Sequence, residues 1–236
     1  MSFWNITLEL LSGFGFTCAL FVLTLLFAIP LGLALSFCRM SKNKILQSIM
    51  KVFIWIIRGV PLMLLVFMIY YLPGLLGNGT INIFDSLDRY FTGVFGSSEL
   101  LRYGSFIAVL IAFVINYSCY FAEIFRGGIE SIPQGQYEAG QVLGLTKTQI
   151  FTKIILKQVI KRILPPMTNE IITLVKDTAL ANAIAIPEII LCAKNMAARQ
   201  AIIWPIFYTA VFYLLFVGII TIVLGQAEKK LSYFKA

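Results

Sequence analysis

Long apolar runs alternate with short charged stretches along this chain. Residues 10–38 carry no charged side chain over 29 positions. A bilayer-crossing helix needs about 20 apolar residues at about 1.5 Å rise each. This run therefore predicts a first span, with Pro30 and Gly32 as kink positions. Residues 60–76 predict a second, within an apolar stretch that begins near Val52, and Arg58-Gly59-Val60-Pro61 marks its polar end. Residues 103–122, bracketed by Arg102 and Glu123, predict a third. A fourth lies between Pro165 and Pro187 and contains Glu170, Lys176 and Asp177. A fifth runs over about 202–227, with Pro205 near its start. No further apolar run is left for a sixth.

The segments between these runs set an orientation. Counted from residues 1–13 to the C-terminal tail, they carry 0, 5, 2, 6, 2 and 3 basic residues. Basic residues concentrate on the cytoplasmic side of membrane proteins. The alternation predicts an all-α integral membrane protein with five transmembrane helices, its N-terminus outside and C-terminus inside. No cleavable signal peptide is expected, because the first twelve residues lack a basic region and the first apolar run is too long.

Composition agrees with this picture and closes off other classes. Hydrophobic residues make up 59% of the chain and charged ones 13%. A soluble domain is about 45–50% apolar and about 25% charged. The net charge of +8 sits at the ends of apolar runs, so it speaks for topology rather than nucleic-acid binding. The absence of histidine excludes His-ligated metal sites and His-based triads. Cys18, Cys38, Cys119 and Cys192 form no CxxC pair and read as small hydrophobes. No catalytic constellation and no metal cluster is expected.

Residues 123–163 make an unusually long connection, and such connections are often functional. Ile150, Phe151, Ile154, Ile155, Val159 and Ile160 recur on one side of a helix, and Lys153, Lys157 and Lys161 on another. A short helix over 136–144 precedes them, with a turn at Gly144. Two readings fit: an interfacial helix on anionic headgroups, or a docking element for a cytoplasmic partner.

Ionisable side chains within spans are costly and point to function. Asn116, Tyr120 and Glu123 share one face of the third span. Glu170, Thr173 and Asp177 share a face of the fourth, with Lys176 on a neighbouring stripe. Together these predict a polar pathway. For a zwitterionic substrate, Lys176 or Arg58 would meet a carboxylate, and Asp177 or Glu123 an ammonium. Against this, Lys176 and Asp177 would neutralise each other, Glu123 and Glu170 would be solvated, and Arg58 would snorkel to headgroups. The acidic balance of the set leans toward a substrate with a positive side chain.

Gln136-Tyr137-Glu138-Ala139-Gly140, then Gly144, Ile154 and Leu156, resembles the EAA loop of ABC importer permeases. Gly140 stands where that family has its second Ala, and Lys157 where it has Pro. Arg58-Gly59-Val60-Pro61-Leu62, the segment Tyr120 to Ile129 and Leu174-Val175-Lys176-Asp177-Thr178-Ala179-Leu180 are similar to motifs of the polar amino-acid branch. The resemblance covers roughly residues 14–227. It implies a type I importer-like fold: one transmembrane permease domain over 1–236, with a coupling segment at about 123–163. It also implies an amino-acid permease of a bacterial cytoplasmic membrane. Tyr137, Glu138, Ala139, Gly140 and Gly144 would form the ATPase-coupling surface, with both glycines allowing close approach of the partner. The partners implied are two cytoplasmic ATP-binding subunits, a second permease chain (identical or paralogous) and an extracytoplasmic binding protein. The chain has no Gly-x-x-x-x-Gly-Lys-[Ser/Thr], so no cofactor is expected in it and ATP would be bound by the partners. The competing expectation is a stand-alone channel or ion-coupled carrier for a small polar solute.

Overall fold

The computed structural model describes residues 3–76, 83–95 and 103–231, and their regular structure is entirely helical. The first apolar run becomes α1 (Phe3–Arg39), which continues through Pro30. The apolar stretch before Pro61 is not continuous with the helix that follows it. It forms a separate helix, α2 (Lys44–Gly59), capped by the Asn43 side chain. Then α3 (Leu62–Leu76) departs at 104°. Proline lacks an N–H and drives the preceding residue out of the α region. Val60 is accordingly extended, with φ −89° and ψ 131°.

α4 (Ile83–Phe95) lies within the segment read as a loop and packs on α5 (Tyr103–Glu130). α5 continues two turns past the predicted end of the third span. The segment expected to couple folds as α6 (Gln134–Val142), α7 (Lys147–Ile150) and a π-helical turn, Phe151–Ile155. That turn runs directly into α8 (Leu156–Asp177), so the periodic stretch around Ile150–Ile160 is the foot of the fourth predicted span. Ile150, Ile155 and Val159 are buried as their spacing predicts, but Phe151 and Ile160 are exposed. α8 tightens into a 3-10 segment, Thr178–Ile184, before Pro187. A second element read as a loop is α9 (Ile189–Gln200). α10 (Trp204–Leu231) is the last helix described.

α1, α5 and α10 are each long and apolar enough to cross a membrane, and α2 with α3 forms a broken pair. α5 is the centre of the packing. Phe113, Tyr117 and Phe121 follow one another at four-residue spacing and are almost wholly buried. α1 lies against α5 at Gly32. A Cβ there would stand 2.8 Å from Phe121 Cβ and 2.9 Å from the Ser118 carbonyl. Small residues of this kind let membrane helices approach closely. Two buried hydroxyls are satisfied by nearby carbonyls of their own segment: Ser36 donates to Leu33 O at 2.7 Å and Thr178 to Val175 O at 2.6 Å. A second, smaller core joins the start of α1 to α9 and α10, around Ile6, Leu10, Ile189 and Met196.

Candidate functional site

The α2–α3 corner, α5, α8 and the 3-10 segment line an open-mouthed cavity of about 550 Å³. The break at Pro61 supplies one wall, with Arg58 and Gly59 ending α2 and Leu62 starting α3. α5 contributes Asn116, Tyr117 and Tyr120, which follow from its helical spacing. α8 contributes Glu170, Thr173 and Asp177, and Leu180 closes the end.

Five of the seven residues predicted for a pathway therefore line one space. Glu123 and Lys176 do not. Glu123 lies a turn beyond Tyr120. It accepts from Arg126 Nε at 3.1 Å and Nη2 at 2.6 Å, and faces Arg39 Nε at 3.7 Å. Lys176 is exposed and points away from the cavity. Successive residues on a helix diverge by about 100°, so α8 aims Asp177 at the cavity and its neighbour elsewhere.

Two further side chains complete the geometry. Tyr117 Oη donates to Asp177 Oδ2 at 2.7 Å, so α5 fixes a carboxylate on α8. The Arg58 guanidinium sits 4.8 Å over the ring of Tyr120, in a cation–π contact. Arg58 is exposed, and it also lines the cavity. The turn at Pro61 directs it inward, where one guanidinium and two carboxylates share the cavity. Such an arrangement can hold a small zwitterion in one orientation. Tyr117 escaped the sequence reading because, as a tyrosine in an apolar run, it looked like core. Its place one residue after Asn116 was the available signal.

The second candidate surface is α6. Tyr137 is half-buried, while Glu138 and Ala139 are exposed. The end of the helix adds Val142 and Leu143, which are 88% and 75% exposed. Glu138 and Val142 are four residues apart, as are Ala139 and Leu143, so each pair shares a face. The glycines serve the chain itself. Gly140 is buried against α7, where a Cβ would come within 2.7 Å of Ile150 Cγ1. Gly144 has φ +72°, and its turn lets Leu145 N donate to Gly140 O at 3.1 Å. α6 is held to its surroundings by Gln158 Nε2 donating to Gln136 Oε1 at 3.2 Å, and by Arg162 donating to the Ser131 carbonyl.

Comparison with known proteins places this architecture. The profile of the family described as "Binding-protein-dependent transport system inner membrane component" matches residues 28–233. The chain is 34% identical over 200 residues to the L-cystine transport system permease protein TcyB of Bacillus subtilis, covering 84% of this chain and 74% of that one. It is 33% identical over 227 residues to the arginine ABC transporter permease protein ArtM of Haemophilus influenzae, covering 96% and 93%. The fold superposes on a crystal structure of an amino acid ABC transporter with histidines, with TM-score 0.80, 26% identity, and 98% and 99% of the two chains covered. The MetNI methionine ABC transporter, at 17% identity and TM-score 0.63, shares the fold over 98% and 100% of the chains. This chain belongs to the binding-protein-dependent transport system inner membrane components, as a multi-pass permease subunit of an ABC importer.

Proposed function

We propose that this chain carries an amino acid with a basic side chain through the cavity between the α2–α3 corner, α5 and α8. The observation that carries the reading is the charge set of that cavity: Arg58 against Glu170 and Asp177. One guanidinium suits the α-carboxylate of the substrate. Asp177, aimed by Tyr117, suits the α-ammonium, and Glu170 the side-chain cation. Arginine or lysine presents one anionic and two cationic groups, which matches this set. The relative named for arginine supports the assignment, while relatives named for cystine and glutamine define the competing substrates. Family membership favours a subunit of an importer over a stand-alone channel or carrier.

In this reading the chain is one membrane domain of five spans, with N-terminus outside and C-terminus inside. α8 is the polar span, tolerated because its ionisable face lines a cavity. The coupling segment then faces the cytoplasm. α6 inserts the Glu138, Ala139, Val142 and Leu143 face into a groove of an ATP-binding subunit, one of two in the complex. A second permease chain, identical or paralogous, completes the pathway, and an extracytoplasmic binding protein delivers the substrate. ATP binds to the partner subunits.

The test is uptake by the complex reconstituted in liposomes, with labelled L-arginine competed by L-glutamine and L-cystine. Asp177→Asn lowers arginine uptake by at least about tenfold, the value of one hydrogen bond to a charged group. Unchanged uptake and unchanged preference in that variant remove the cavity from the pathway.

A further inference from the structure

Glu188 is the one acidic side chain among the described residues that is almost completely buried, at 1% exposure, and the cavity does not use it. It is the N-cap of α9. Its carboxylate accepts from Ile190 N at 2.9 Å and from Leu191 N at 2.8 Å. Serine, threonine, asparagine or aspartate is the usual choice for this task. Any of the neutral three would cap α9 without burying a carboxyl group, which is costly unless it is paired. Among the described residues no Lys or Arg nitrogen lies within 4 Å of Glu188.

The longer side chain reaches what a short one would not. Glu188 Oε2 also accepts from Tyr213 Oη of α10, at 3.4 Å. The next residue, Ile189, donates its N–H toward Thr17 Oγ1 of α1 at 3.5 Å. One carboxylate thus joins the start of α9 to α10, beside α1. The position is a seam between two packed bodies. Ile184 and Ile186 belong to the main core, whereas Ile189, Cys192 and Met196 belong to the smaller one. α9 is also bracketed by two non-glycine residues in the left-handed region, Ala185 at φ 60° and Ala201 at φ 53°. Such residues are uncommon and cluster at switch regions. On its α1 side the module rests directly on Gly13, where a Cβ would meet Cys192 Sγ at 2.8 Å.

We propose that Glu188 is a positioning residue of the transport cycle, a buried pin that holds the α9 module on α10 through Tyr213 and releases it in each turnover. The proposal rests on the importer reading, in which α9 lies between the last two spans on the extracytoplasmic side. The groups facing the carboxylate are few. α10 presents Tyr213, and α9 itself presents Cys192 and Lys194. Around the Tyr213 hydroxyl lie Thr17 of α1 and Thr178 of the 3-10 segment, and Glu9 of α1 faces Cys192. Burial pushes the Glu188 carboxyl up to about 7, against the pull of the Ile190 and Leu191 N–H groups and the Tyr213 hydroxyl. Ionisation strengthens these hydrogen bonds, because charge-assisted ones are about twice as strong. The pin is therefore looser at pH 6 than at pH 8.

The experiment uses the complex with its ATP-binding subunit and binding protein in liposomes. Uptake of labelled L-arginine, L-glutamine and L-cystine is followed from pH 6 to 8, with hydrogen exchange over 189–192 measured on the same complex. The ionised fraction rises from about one tenth to about nine tenths over that interval. Wild-type uptake is expected to fall about fivefold between pH 6 and 8 as release slows. Glu188→Gln changes less than about 1.5-fold across the range, exchanges faster at pH 8, and matches wild type at pH 6. Tyr213→Phe removes the one hydrogen bond that carries the pin to α10, so its uptake also changes less than about 1.5-fold across the range. Glu188→Gln that keeps the wild-type pH profile, even with slower uptake or lower thermal stability, overturns the proposal, since only a structural role then remains. So does a Tyr213→Phe variant that keeps the wild-type pH profile. Wild type that takes up none of the three amino acids overturns the substrate reading of the cavity, and the pin as argued from that uptake with it.

Discussion

Replacing Tyr117 with phenylalanine removes one oxygen atom and tests how the cavity is organised. Tyr117 is 1% exposed, and its hydroxyl donates to Asp177 at 2.7 Å. Phenylalanine fits the same slot, so the packing of α5 against its neighbours is retained. The lost interaction is a hydrogen bond to an ionisable group, worth about 1.5–3 kcal/mol. If that bond aims Asp177 at the substrate ammonium, affinity falls by about 10- to 150-fold, at about 1.4 kcal/mol per factor of ten. Asp177 is only half-buried, so cavity water replaces part of the donor. The lower end, about tenfold, is the expected value. Uptake in proteoliposomes should show it as a raised half-saturation concentration with little change in maximal rate. The double variant with Asp177→Asn should behave like Asp177→Asn alone, because Tyr117 acts only by aiming the charge that Asp177→Asn removes. Effects that multiply, or a half-saturation equal to wild type, refute the claim that α5 positions the α8 carboxylate.

Two other predictions follow from packing and charge. Gly32→Val forces side-chain atoms onto the Ser118 carbonyl, which no rotamer change can relieve, so α1 and α5 must separate. Overpacking of this kind costs about 1–3 kcal/mol, read as a lower midpoint in thermal unfolding of the purified chain, whereas an unchanged midpoint contradicts the contact. Glu123→Gln leaves half-saturation for uptake within about twofold, because Glu123 pairs with arginines outside the cavity and partly exposed pairs contribute about 1 kcal/mol or less. A large loss of affinity would return Glu123 to the pathway.

The long uncharged runs were legible because bilayer thickness sets a length that composition either meets or misses. α1, α5 and α10 follow from that criterion. The bend between α2 and α3 was not read, although Pro61 and the extended Val60 that cause it stand in the sequence. Hydropathy averages across a break, and without the bend Arg58 looked peripheral. α9 was missed for a related reason: its Glu188 cap is an unusual choice, and its apolar face meets protein rather than lipid. Asn116, Tyr120, Glu170, Thr173 and Asp177, grouped by helical spacing, line one cavity. That spacing did not say which of Lys176 and Asp177 faces inward, since that depends on how α8 is rotated against α5. Of the two glycines expected at the docking surface, Gly144 is exposed and makes the turn that the sequence predicts, whereas Gly140 is buried and makes room for Ile150. The exposed face of α6 is instead Glu138, Ala139, Val142 and Leu143.

The most direct test of the account is ATP hydrolysis by the reconstituted complex, stimulated by substrate-loaded binding protein, in the Glu138→Arg variant. Glu138 is exposed on α6 and packs against nothing in its own chain that would cost the fold. The account predicts that stimulation collapses toward the basal rate while the variant still inserts and binds its second permease chain. Full stimulation in the variant contradicts it, because α6 would then not be where the energy of ATP reaches the membrane helices.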